Sequence, residues 1–163
     1  MRQHGLAGQV AHGPDVAHGG GAALVDLHER PGHGDTRVDS HVGLPVLEVD
    51  LDLLRSRDLA PFDAAIAAGL DCVMTGHLVV PALGAGPATL EPWSGRLLRE
   101  GGFSGVIVTD ALGMKGAGDD IGEACVRALL AGADLLCLDA PHERDAAAMF
   151  VRAQEAIVVA LAD

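Results

Sequence analysis

After residue 41 the pattern of hydrophobic and polar positions becomes regular, and helical and strand-like segments alternate along the chain. The stretch "PFDAAIAAG" predicts a helix. Pro61 suits a first turn, Phe62 and Ile66 lie one turn apart on one face, and Gly69 suits the C-terminal cap. "DCVMTG" follows as a short apolar run expected to form a buried strand. "PWSGRLLREGG" has a proline start, an Arg96–Glu100 spacing for an ion pair and a glycine stop, and so predicts a second helix. "GVIVTD" is rich in β-branched residues and predicts a strand. "DDIGEACVRALLAG" predicts a helix closed by Gly132, "ADLLCLD" a third strand, and "PHERDAAAMFVRAQEAIVVALAD" a long final helix. Upstream of residue 30 no clean period of 2 or 3.6 is present, and "AALVDL" is the only strand-like run there.

Short, continuously apolar strands separated by helices, without hairpin signals, imply a parallel sheet buried on both faces. The expected class is therefore α/β. A closed (β/α)8 TIM barrel takes about 250 residues, and 163 residues suffice for roughly half of one.

Composition narrows the function classes. With 49% hydrophobic but only 2% aromatic residues, the core must be aliphatic. A formal charge of −12 argues against nucleic acid and anionic membrane surfaces, which call for a positive face. No apolar run reaches the length of a membrane span, and "MRQHGLAGQVAHG" lacks the basic start and apolar core of a signal peptide. A cytoplasmic location is the expectation. Cys72, Cys125 and Cys137 are odd in number, widely spaced and set among apolar neighbours, so they read as small buried hydrophobes.

In parallel α/β folds, functional groups gather at the carboxyl ends of strands. Three polar residues follow strands here: His77 in "TGH", Asp110 in "VIVTD" and Asp139 in "LLCLD". Asp110 fits either a cap for the following "ALGMKG" or a nucleophile or general base. His77 reads as a structural hydrogen-bonding residue. The glycine-containing loop "PGHGDTRVDSH" adds His33, Asp35, Asp39 and His41. Asp39 and His41, two residues apart, suit a carboxylate–imidazole pair that moves protons; a solvated loop without chemistry is the alternative. The same four residues spell H-x-D-x3-D-x-H, which would hold a divalent ion but matches no standard framework. "GMKGAG" is a weak phosphate-loop signal, since no GK[ST] follows.

In order and spacing, "PGHGDTRVDSHVGLP", "DLAPFDAAIAAGLDCVMTGHLVVPAL", "PATL", "LLREGGFSGVIVTDALGM" and "ALLAGADLLCL" resemble the family 3 glycoside hydrolases. They are most similar to the bacterial β-N-acetylhexosaminidase branch. The resemblance runs from about Pro31 to Asp139 and implies the second half of a catalytic TIM barrel within residues 31–163. It implies Asp110 as nucleophile, His41 as general acid/base and Asp39 as the partner of His41. It further implies a retaining reaction on terminal β-linked N-acetylglucosamine, typically in peptidoglycan fragments, with no metal or organic cofactor.

The resemblance fails where the family carries Lys-His-Phe before "PGHG". Here His28, Glu29 and Arg30 stand, so no sugar-binding residue is implied. The break predicts that residues 1–30 are an irregular segment from a shifted reading frame, a divergent N-terminus and a fusion boundary being the alternatives. A half barrel is expected to be unstable or to self-associate through its open side, and to hydrolyse glycosides poorly. Two other readings stand beside the enzyme: a non-catalytic remnant or interaction module of the same fold, and a metal-binding loop protein.

Overall fold

The computed structural model describes residues 44–138 and 145–162. At its centre are two parallel strands, β1 (Cys72–Thr75) and β2 (Val106–Thr109), with Cys72 opposite Val106 and Thr75 opposite Thr109. Side chains alternate across a strand, so Val73 and Ile107 share one face. They pack there against Leu98 and Phe103. Leu98 belongs to α3 (Pro92–Glu100), the helix that connects the two strands. Pro92 starts this helix, and Gly102, at φ 87°, turns the chain out of it. The other sheet face carries Cys72, Met74, Val106 and Val108; Val106 is 42% exposed. A parallel sheet is ordinarily covered on both faces.

Before β1 the helical path starts earlier than Pro61 suggests. It comprises α1 (Leu51–Leu53), a π-helical stretch (Leu54–Leu59) and α2 (Ala60–Ala67). Asp50 caps it, its Oδ1 accepting from the Leu53 amide at 2.8 Å. Phe62 is buried, and Ile66 packs against the Val73–Ile107 cluster.

After β2, α4 (Ile121–Leu130) is capped by Asp120, whose carboxylate accepts from the Gly122 and Glu123 amides. Its Ile121, Ala124, Cys125 and Ala128 meet Met149 and Ala153 of α5 (Ala146–Ala160). Asp145 caps α5, which places its start within the long final helix predicted.

Two expectations change. "ADLLCLD" forms one parallel bridge, Val108 opposite Leu135, rather than a strand. The ladder stops because the Cys137 amide donates to the Thr109 hydroxyl at 2.9 Å, and the Leu112 amide, one residue out of step, takes the Cys137 carbonyl. Arg96 does not pair with Glu100; both are exposed, where such a pair contributes little. Arg99 is the arginine that α3 uses. It donates to Asp134 Oδ2 at 2.7 Å and to the carbonyls of Phe103 and Gly105. Asp134 also accepts from the Ile107 amide at 2.8 Å. This network pins the amino end of β2, opposite the end that carries Asp110.

The approach of α3 to the end of α4 depends on Gly95. A Cβ there would collide with the carbonyl of Ala131 and lie 3.3 Å from Gly132 Cα. Both obstacles are backbone and cannot swing aside. Gly95→Ala is expected to destabilise the chain by about 1–3 kcal/mol, the range for overpacking, read as a lower urea midpoint. An unchanged midpoint would mean that α3 does not sit against this turn.

Candidate active site

Asp110 stands one residue past β2, and the sheet holds its backbone. Its amide donates to the Thr75 carbonyl at 2.9 Å, continuing the β1–β2 ladder by one rung. The next amide, that of Ala111, turns back and donates to Asp110 Oδ1 at 2.7 Å. The chain thus leaves the sheet at the aspartate, and the half-buried carboxylate lies at the sheet's carboxyl end. The capping reading accounts for Oδ1 alone. Oδ2 is buried and accepts no hydrogen bond among the described residues. One oxygen is thus oriented by the backbone and the other is uncommitted, a disposition suited to a carboxylate that attacks an electrophile.

His77 emerges after β1 and is fully buried. Its Nε2 lies 3.0 Å from the Ala111 carbonyl. A carbonyl only accepts, so Nε2 carries the proton. Nδ1 is buried without a partner among the described residues. The sequence reading of His77 as a hydrogen-bonding residue agrees with this contact, and its partner is the residue directly after Asp110. Thr89 braces the same corner. Its hydroxyl donates to the Thr75 carbonyl at 3.2 Å and its amide to the Gly76 carbonyl at 3.3 Å.

Thr89 and Gly116 were not legible as parts of this site. No local signal marks a threonine fourteen residues downstream as the brace of a strand end. Gly116 lies in the "GMKGAG" stretch, within a 3-10 turn, Lys115–Ala117. Its Cα packs against His77, and a Cβ would come within 2.6 Å of the histidine Cβ. Close packing thus accounts for this glycine without a phosphate.

Asp39, His41, His33, Asp35 and Asp139 lie outside the described residues. Among the described residues, no group of three or more His, Cys, Asp or Glu side chains could hold a metal. Burial pushes the Cys125 thiol up to about 11 and raises that of Cys72. Both changes disfavour the reactive thiolate; Cys125 is buried as expected, whereas Cys72, on the open sheet face, and Cys137 are only half-buried. Among the described residues, no helix is long and apolar enough to cross a membrane.

A parallel β-α-β unit with a carboxylate at the strand's carboxyl end defines an α/β domain of the kind that carries enzyme sites on that edge. The chain belongs to glycosyl hydrolase family 3: the family's N terminal domain matches residues 26–158. It is 41% identical over 123 residues to a beta-hexosaminidase of Methylobacillus flagellatus, covering 73% of this chain and 35% of that protein. A beta-hexosaminidase of Xylella fastidiosa is 42% identical over 124 residues, covering 72% of this chain and 36% of its own length. Among solved structures, a family 3 beta-N-acetylglucosaminidase from a Paenibacillus species superimposes with a TM-score of 0.72 at 40% identity. The match covers 81% of this chain and 25% of that one. The chain thus spans little more than a third of the length of the beta-hexosaminidases it matches.

Proposed function

We propose that this chain carries the nucleophile-bearing part of a retaining β-N-acetylhexosaminidase, with Asp110 as the nucleophile. The observation that carries the reading is the Asp110 carboxylate, with Oδ1 tied to the Ala111 amide and Oδ2 uncommitted at the carboxyl end of β2. Asp110 attacks the anomeric carbon and forms a glycosyl-enzyme as the leaving oxygen departs. His41 protonates that oxygen and then, as base, activates the water that releases the sugar. Asp39 fixes the tautomer and charge of His41. The substrate class is a terminal β-linked N-acetylglucosaminide, such as a peptidoglycan fragment, and the chemistry calls for no metal or organic cofactor.

In architecture, residues 31–163 correspond on this reading to roughly the second half of a TIM barrel. The open apolar face of Cys72, Met74, Val106 and Val108 would be part of the barrel's interior, and self-association through that side would cover it. The same open face favours a second reading, in which the chain retains the fold without turnover.

An aryl N-acetyl-β-glucosaminide assay of the chain by itself tests whether this part suffices for turnover. Little or no turnover is expected, because sugar-binding walls would come from the parts of the relatives that the match leaves uncovered. Clear turnover, abolished by Asp110→Asn, would overturn the second reading and show that this chain suffices.

A further inference from the structure

We propose that His77 is a positioning residue for Asp110, acting through the backbone of Ala111; this rests on the reading of Asp110 as the nucleophile. The two hydrogen bonds of Ala111 point to it. Its amide donates to Asp110 Oδ1 at 2.7 Å, and its carbonyl accepts from His77 Nε2 at 3.0 Å. The residue next to Asp110 is therefore gripped on both sides, and the grip fixes which carboxylate oxygen is occupied and which is presented.

The imidazole is itself held in place. It is fully buried, so it cannot swing to solvent. Gly116 Cα seats against it where a side chain would collide. The Thr75 carbonyl, at the end of the strand preceding His77, accepts from both the Asp110 amide and the Thr89 hydroxyl. A side chain filling space alone would not need a donor at Nε2; a donor there has one partner, the Ala111 carbonyl.

Amide hydrogen exchange on the whole chain tests this, with His77→Leu and His77→Gln as variants. Leucine fills the volume but cannot donate, whereas glutamine retains a donor near the position of Nε2. In His77→Leu the Ala111 amide is expected to exchange roughly tenfold faster, the size of one lost hydrogen bond, while the β2 amides of Ile107 and Thr109 keep their protection. His77→Gln restores the slow rate. Uniform acceleration of all three amides, or an unchanged Ala111, would overturn the proposal and leave His77 a packing residue. If His77→Leu does not fold, nitrogen NMR of the wild-type imidazole decides. An Nε2–H protected from solvent supports the anchor, and an Nδ1–H tautomer overturns it. None of these readouts depends on turnover. The anchor can fail while Asp110 remains the nucleophile, and the glycosidase reading can fail while the anchor stands.

Discussion

Asp110→Asn is expected to lower glycoside turnover by on the order of 10⁴- to 10⁶-fold, the scale on which loss of a nucleophile acts. The setting for this test is a chimera in which residues 31–158, which leave the relative's own segment before the "PGHG" motif in place, replace the corresponding part of the Methylobacillus flagellatus beta-hexosaminidase. Asparagine is nearly isosteric with aspartate. Its side-chain oxygen can still accept from the Ala111 amide, as Asp110 Oδ1 does, so the turn after β2 should survive. What is lost is the uncommitted anionic oxygen. A folded, inactive variant is therefore expected, and circular dichroism with kcat on an aryl N-acetyl-β-glucosaminide checks both halves. Activity within tenfold of the parent chimera would remove Asp110 from the chemistry.

His41→Ala is expected to have the second-largest effect, and its size should depend on the leaving group. A general acid/base typically contributes about 10²- to 10⁴-fold. Poor leaving groups need protonation to depart, so on an alkyl glycoside the loss should approach the upper figure. A nitrophenolate departs with little help, so on that substrate the first step should be nearly spared and the loss should appear in breakdown of the glycosyl-enzyme. Measuring kcat/KM across aryl and alkyl aglycones gives the contrast. A loss of equal size on every aglycone would argue for a structural role of His41.

Local chemistry decided which parts of this fold could be foreseen. The strands "CVMT" and "VIVT" are apolar and bounded by turns, and α3 and α4 carry starts and stops in Pro92, Asp120, Gly102 and Gly132. Asp110 was legible for the same reason, as a carboxylate directly following an unmistakable strand. The helical turns from Leu51 to Leu59 had a usable signal in Asp50, but the π-helical stretch has no simple periodicity. The third strand was overread because hydrophobicity does not reveal that a threonine hydroxyl takes the Cys137 amide. The contacts of His77, Thr89 and Gly116 are tertiary, joining loops that lie between 13 and 39 positions apart. The pairing of Arg99 with Asp134 is likewise set by the fold, whereas helix spacing suggested Arg96 with Glu100.

If Asp110 is the nucleophile it forms a covalent bond to the sugar, and that bond can be trapped. The chimera would be incubated with an N-acetylglucosaminyl fluoride bearing a ring fluorine, which slows breakdown of a glycosyl-enzyme, then digested and sequenced by mass spectrometry. One added glycosyl mass is expected, carried on the peptide "GVIVTDALGM" at Asp110 and absent in Asp110→Asn. A glycosyl mass on a different residue, or hydrolysis at an undiminished rate when Asp110 is replaced, would contradict Asp110 as the nucleophile.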